Sequence, residues 1–224
     1  MKERLSEEVI AMRAAKELQD GDCVNLGTGI PLLCASSPLE DRDIFFEAEH
    51  GILGYGPILH VDEWEKVDFD FVDAGWRYVT ARPGMCFFDM DVSFDMIRGG
   101  RLDVTILGGF QVSEKGDLAN WTTGGVESVA IGGSMDLAVG AKRVIVTMTH
   151  TTREGMPKIL KHCTYPLTAK ECVDLIVTDL AVIEVTPEGL LLKEVAPGWT
   201  AEEVQALTEP ELIIAPDLKE IDLI

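Results

Sequence analysis

Glu49 is the residue in this sequence best placed to do chemistry. It ends an apolar run, Ile44-Phe45-Phe46, and stands just before the glycine-rich stretch Gly51-Ile52-Leu53-Gly54-Tyr55-Gly56. A carboxylate at a strand end, with apolar residues on one side and pliable backbone on the other, is placed as a nucleophile or general base rather than as a solvated surface charge. Spacing alone leaves both catalysis and a plain surface role open. His50 stands next to it, and since histidine side chains as a class change charge near neutral pH it could serve as acid, base or pH-sensitive donor, or could point away.

Glycine clusters supply the second candidate chemistry. Gly27 and Gly29, Gly51 with Gly54 and Gly56, Gly99-Gly100, Gly108-Gly109 and Gly132-Gly133 stand in several cases directly after a strand-like run. Such positions let backbone N–H groups face a ligand. They also serve as the tight turns that any large α/β protein needs. Other chemistries lose ground. No GxxxxGK[ST] loop occurs, and Gly27-Thr28-Gly29-Ile30-Pro31-Leu32 lacks the third glycine of a dinucleotide fingerprint. His50, His60, His150 and His162 have no HxxxH or HExxH spacing and the cysteines form no CxxC pair, so no metal is expected. No GxSxG nucleophile elbow is present.

The elements that must position Glu49 read as an alternating α/β chain. Ser6 can cap a helix carrying Ile10, Ala14 and Leu18 on one face and ending before Asp20. Residues 23–26 read as a short buried strand running into the Gly27–Pro31 loop, and residues 43–49 as a second strand. Residues 69–72, 78–81, 102–107 and 144–148 are further strand candidates, rich in β-branched or aromatic residues. Residues 134–139 and 169–176 read as helical or turn-rich. Thr200 with Glu203 forms a capping box for a helix over 201–207. Pro83-Gly84 and Pro197-Gly198 read as turns. The alternation predicts an open, mostly parallel sheet flanked by helices, and residues 1–224 are expected to form a single domain, since no linker, repeat or composition shift divides them.

Bulk properties narrow the partners. The 39 acidic against 19 basic residues give a formal charge of −20, which repels nucleic acid and anionic membranes, so neither is an expected partner. An anionic ligand must therefore find locally placed donors. An odd count of 5 scattered cysteines, an N-terminus without an apolar signal core and the lack of a long apolar run predict a reduced, cytoplasmic protein.

Several motifs, in one order along residues 5–208, resemble the family I 3-oxoacid CoA-transferases in their B subunit or C-terminal half. Ala48-Glu49-His50-Gly51-Ile52-Leu53-Gly54-Tyr55-Gly56-Pro57 is similar to that family's S-E-N-G-[IL]-L-G-x-G-P signature. Val24-Asn25-Leu26-Gly27-Thr28-Gly29-Ile30-Pro31 resembles its VNLGxGxP loop, and the segment from Ser93-Phe94 through Ile97-Arg98-Gly99-Gly100 to Asp103 its SFxMIRGGxxD segment. Leu107-Gly108-Gly109-Phe110-Gln111, Gly116-Asp117-Leu118-Ala119-Asn120-Trp121, Gly132-Gly133-Ser134-Met135-Asp136 and Cys163-Thr164-Tyr165-Pro166 follow in register.

The resemblance implies the open α/β architecture of the CoA-transferase superfamily and ping-pong transfer of CoA from an acyl-CoA, such as succinyl-CoA, to acetoacetate or 3-oxoadipate. It makes Glu49 the nucleophile that becomes a glutamyl-CoA thioester. It gives Gly133 N–H an oxyanion-stabilising role, and it places Asn25, Gly27, Gly29, Gly51 and Gly132 at the substrate or CoA site. Coenzyme A enters as substrate, no cofactor is permanently bound, and the implied partner is an A subunit in an α2β2 assembly. Two positions depart from the pattern: His50 stands where the family has Asn, and Trp76 follows Asp73-Ala74-Gly75 where a Lys is common. His50 keeps open a second reading, a CoA-ester hydrolase in which Glu49 is a general base for water. A third, a non-catalytic assembly partner, is opposed by the retained Glu49.

Overall fold

A computed structural model describes residues 2–39, 42–125 and 131–222. Its strands among these residues are β1 (Cys23–Leu26), β2 (Phe45–Ala48), β3 (Ile52–Tyr55), β4 (Cys86–Phe87), β5 (Val104–Gly108), β6 (Gln111–Ser113) and β7 (Leu118–Ala119). They continue as β8 (Arg143–Met148), β9 (Ile159–Leu160), β10 (Leu175–Thr178), β11 (Ala181–Thr186), β12 (Gly189–Val195) and β13 (Leu212–Glu220). The helices are α1 (Glu7–Ala15), α2 (Met90–Arg98), α3 (Ser134–Gly140) and α4 (Ala201–Gln205), and a 3-10 segment spans Ile30–Ser36.

Ten strands form one sheet in the order β13-β12-β11-β10-β8-β5-β1-β2-β3-β4. Its centre, β10-β8-β5-β1-β2, is parallel. Antiparallel β3 and β4 extend it on one side and the β11–β12 hairpin on the other, with β13 parallel to β12. The central strands are buried on both faces, which is why they read as continuous apolar runs rather than alternating ones. Alternate residues Val24, Leu26, Ile106, Ile145 and Val177 pack on the side of α1 and the 3-10 segment, whereas Leu107, Val144, Val146 and Ile176 pack on the side of α2 and α3. The two-residue period thus decides which layer each side chain joins.

Helix α1 is fixed by Ile10, Ala11 and Ala14, all fully buried, and by Arg13, whose Nε donates to the buried Glu194 carboxylate at 2.7 Å across to β12. Ser6 does hold the N-cap position, but its side chain makes no capping bond to the helix. The capping box of α4 is formed as expected, with Glu203 N–H donating to Thr200 Oγ1 at 3.3 Å and Thr200 N–H to Glu203 Oε2 at 2.9 Å.

Three expectations are corrected. Of the two readings of residues 169–176, helical or turn-rich, the helical one is wrong: the chain bends through 170–171, the Cys172 and Val173 N–H groups donate to Gly116 O and Ala169 bridges Leu118, so the backbone is committed to the small β7-β6-β9 sheet region, and Leu175 already belongs to β10. Residues 69–72 and 78–81 make only isolated bridges, Val72 with Tyr78 and Ile58 with Val79, within a looped segment. The strand expected over 43–49 is β2, Phe45–Ala48, which leaves Glu49 in the turn beyond it.

Candidate active site

Strands β2, β1, β5 and β8 all end at one cleft of about 690 Å³. From β1 the chain goes first to β2 on one side and later to β5 on the other, so the carboxyl ends diverge there and leave a crevice, the usual ligand position in an open parallel sheet. Gly27, Gly29, Glu49, Gly108, Gly132 and Gly133 line it.

Glu49 is held by the turn between β2 and β3. Gly51 makes that turn possible: its φ is +113°, its N–H donates to Ala48 O at 2.9 Å, and a Cβ there would meet Phe88 O at 2.0 Å. The partly buried Glu49 carboxylate accepts from Asn25 Nδ2 at 3.4 Å. Asn25 is fully buried, and its Nδ2 donates more closely, at 2.8 Å, to Glu47 Oε2. In the parallel register Asn25 lies opposite Glu47 on β2 and Thr105 on β5, so the three form a polar row on the face covered by α2. From α2, Ser93 Oγ lies 2.6 Å from Glu47 Oε1. Burial pushes the Glu47 carboxyl up to about 7, the Glu49 charge adds to this, and the Ser93 and Asn25 hydrogen bonds oppose it.

On the opposite wall, Gly133 sits at the N-cap of α3 so close to Glu49 that a Cβ would stand 3.4 Å from Glu49 Cγ and 3.3 Å from the Phe94 ring. Among the described residues, none accepts a hydrogen bond from the Gly133 N–H. Gly132, with φ +55°, delivers it there. Gly29, with φ +85°, opens onto the cleft with no atom near its missing Cβ.

Two of the residues expected at the substrate or CoA site, Gly27 and Gly51, have their N–H groups engaged within the chain. Gly27 lines the cleft, but its N–H continues the sheet by donating to Ile106 O at 2.8 Å; its value is the close approach of Leu107. Gly51 stands outside the cleft lining and shapes the turn. His50 is exposed and its Nε2 donates to Val72 O at 3.1 Å, beside a side hollow of about 180 Å³ shared by Glu49, Val72, Asp73, Ala74 and Trp76. Trp76, at φ +63° and 84% exposed, lines this hollow with Glu49 where the resemblance has a lysine.

Sequence reasoning missed Glu47, Ser93 and Lys158. Of the cleft's lining side chains only Glu7, Glu49 and Lys158 carry charge, so Lys158 is its one cation among the described residues. Burial lowers the Lys158 ammonium to about 8 against the pull of Asp179, and its Nζ donates to Thr149 Oγ1 at 3.3 Å. The two-residue spacing of Glu47 and Glu49 was visible. Only the pairing of β1 with β2 shows that both reach the Asn25 amide. Nothing local marks Lys158. Among the described residues no three His, Cys, Asp or Glu side chains converge as a metal would require, and no helix is long and apolar enough to cross a membrane.

Comparison with known proteins agrees with this geometry. Residues 7–207 match the family model described as coenzyme A transferase. The chain is 46% identical, over 95% of its length and 97% of the relative's, to the B subunit of 3-oxoadipate CoA-transferase from Acinetobacter baylyi. It is 48% identical to the mouse mitochondrial succinyl-CoA:3-ketoacid coenzyme A transferase 2B, spanning 94% of this chain and 40% of that longer one. Among solved structures, an acyl-CoA transferase of Escherichia coli O157:H7 superposes with a TM-score of 0.75 at 21% identity, over all of this chain and 44% of that one, which speaks to the fold alone. Glutaconate coenzyme A-transferase of Acidaminococcus fermentans does so at 0.67 and 19%, covering 98% and 90% of the two chains. With a parallel-sheet crevice, a carboxylate at its floor and a family match across nearly its whole length, the chain belongs to the coenzyme A transferase family.

Proposed function

We propose that this chain is the B subunit of a 3-oxoacid CoA-transferase that moves CoA from an acyl-CoA, succinyl-CoA above all, to acetoacetate or 3-oxoadipate through a glutamyl-CoA thioester on Glu49. The observation that carries the reading is the position of the Glu49 carboxylate, in the crevice between the Asn25 amide and the backbone of Gly133. The relatives named for 3-oxoadipate and for 3-ketoacids support the acceptor class.

The chemistry follows from a carboxylate nucleophile. Glu49 attacks the thioester carbonyl and expels the CoA thiolate, giving a mixed anhydride. The thiolate then attacks the Glu49 carbonyl, releasing the first acid as its carboxylate and leaving glutamyl-CoA. The acceptor carboxylate attacks that thioester, and the returning thiolate takes the new acyl group, so Glu49 ends as it began. Each tetrahedral intermediate carries an oxyanion, and a fixed donor such as Gly133 N–H is worth about 3 kcal/mol in acyl-transfer sites. Asn25, fixed by its 2.8 Å bond to Glu47, orients the attacking oxygen. Lys158 supplies the local cation that a chain of net charge −20 needs to hold an anionic ester.

Hydrolysis would need Glu49 to act as general base on a water instead of attacking the thioester itself. The only feature in its favour was His50, whose engagement with Val72 O weighs against it. The A subunit implied by the relatives' names completes the enzyme, as α2β2; the mouse relative, of which this chain spans 40%, has length for both halves. Coenzyme A is substrate, no cofactor is resident, residues 1–224 act as one domain, and the compartment is cytoplasmic, in keeping with cysteines that are all unpaired. The test is initial-velocity kinetics of the assembled enzyme. Parallel double-reciprocal lines for donor and acceptor are expected, with turnover absent from this chain alone. Intersecting lines, or CoA release that ignores the acceptor, contradict the reading.

A further inference from the structure

Two carboxyls share the Asn25 amide, and only one of them, Glu49, lines the crevice and is needed as a nucleophile. Glu47 is 1% exposed on β2, two residues before Glu49 in the turn beyond that strand, and it makes the closest contact to the Asn25 amide that also reaches Glu49. Asn25 Oδ1 is buried without a partner among the described residues, so the amide is anchored through its NH2 group alone. Its contacts are Glu47 Oε2 at 2.8 Å, Glu47 O at 3.4 Å and Glu49 Oε2 at 3.4 Å.

We propose that Glu47 is a positioning residue for the nucleophile, acting as a neutral acid through the Asn25 amide that the two carboxyls share. This rests on the reading of Glu49 as the covalent nucleophile. Ser93 O–H donates to Glu47 Oε1 at 2.6 Å; in the un-ionised acid that hydroxyl turns to accept the Glu47 proton, while the other Glu47 oxygen stays with Asn25 and the second amide hydrogen is left for Glu49. Once ionised, Glu47 puts a second negative charge beneath Glu49, where each tetrahedral intermediate must already accommodate an oxyanion. Like charges in a partly desolvated site oppose that step.

Of the groups facing Glu47 none other is placed near neutrality, and the cleft's own titrating group, Lys158 at about 8, is lowered by burial and does not touch Glu47. Glu49 stands on its own strand end. Cys23 on β1 is pushed up to about 12, by burial first and the Glu47 charge second. Tyr55 on β3 is raised well above its ordinary value by burial, with Asp73, Glu47 and Glu49 adding and Arg77 opposing. Helix α2 faces Glu47 with Ser93. Glu47 itself, pushed up by burial to about 7, changes charge close to neutral pH.

The experiment measures the rate of glutamyl-CoA formation on Glu49, by quenched flow and mass spectrometry of the assembled enzyme with acyl-CoA, from about pH 5.5 to about pH 9. The wild type is expected to slow about tenfold as pH rises through about 7. Glu47→Gln, which keeps an oxygen for Asn25 and an amide for Ser93, is expected to lose that alkaline fall. Glu47→Ala releases Asn25 and is expected to be about tenfold slower than Glu47→Gln at every pH, a difference that a merely space-filling role would not make pH-independent. Thermal unfolding of each assembled variant reports folding, and if Glu47→Ala is unfolded the Glu47→Gln profile decides alone. An unchanged alkaline fall in Glu47→Gln overturns the proposal, as does a folded Glu47→Ala as fast as Glu47→Gln. A wild type that never forms the thioester refutes the underlying reading instead.

Discussion

The glycine at position 51 gives the most quantitative handle on how the fold aims its nucleophile. At φ +113° an alanine is strained whatever space surrounds it, by about 1–2 kcal/mol. Its Cβ would also stand 2.0 Å from Phe88 O, and relief demands that the end of the β3–β4 pairing open by about 1 Å against the 3.0 Å hydrogen bond from Phe88 N–H to Gly51 O, worth about another 1 kcal/mol. Gly51→Ala should therefore lose about 3 kcal/mol, an unfolding midpoint about 9 °C lower for a domain of this size. Gly29→Ala is the internal comparison: its φ is +85° but nothing lies near the added Cβ, so only the conformational share, about half as much, is lost. Because Glu49 lies two residues before Gly51, a shift of about 1 Å should also cost about 100-fold in turnover. Calorimetry of the two variants and steady-state turnover of Gly51→Ala are the assays. Equal midpoints for the two variants, or full turnover in Gly51→Ala, would refute the claim that this turn, rather than side-chain packing, holds the nucleophile.

Other consequences concern pH and charge. His150 is fully buried between Thr178 and Thr208 and burial lowers it to about 4 from 6.5; its neutral form stabilises the fold fully above about 6.5, and about 3 kcal/mol of this is lost as pH falls to about 4. Glu47, raised from 4.5 to about 7, has the opposite sign: its contribution is full below about 4.5 and is lost as pH rises to about 7. Denaturant titrations at several pH values should thus show Glu47→Gln more acid-sensitive than wild type and His150→Gln less so, and matching slopes in all three proteins would contradict both assignments. Lys158→Met removes the cation of the cleft and should raise KM for the acyl-CoA about tenfold, with kcat changed by less than about twofold; an unchanged KM would mean that the ester is held elsewhere.

The strands that deliver the site were legible because they are buried on both faces, so Cys23–Leu26, Val104–Gly108 and Arg143–Met148 announce themselves as short β-branched, apolar runs. Helix α2 was not recognised as such, since Met90–Arg98 is exposed on much of its surface and mixes Asp with apolar residues around only two buried positions, Ser93 and Ile97. The 169–176 segment misled because its N–H groups are satisfied by a loop distant in sequence. Glu49 was found from its place at a strand end and from motif resemblance. Glu47 was not, although it lies two residues away, because its burial depends on pairing with Asn25, and strand register is a tertiary fact. Lys158 reaches the cleft from just before β9, in the small second sheet, a proximity no spacing rule encodes.

The most direct test of the account is the mass of the peptide carrying Glu49 after the assembled enzyme is mixed with acyl-CoA in the absence of an acceptor acid and quenched. A CoA adduct on Glu49 is expected, reducible by borohydride, discharged when a 3-oxoacid is added, and absent in Glu49→Gln. Free CoA accumulating turnover after turnover while Glu49 stays unmodified would contradict it and assign the carboxylate to water activation.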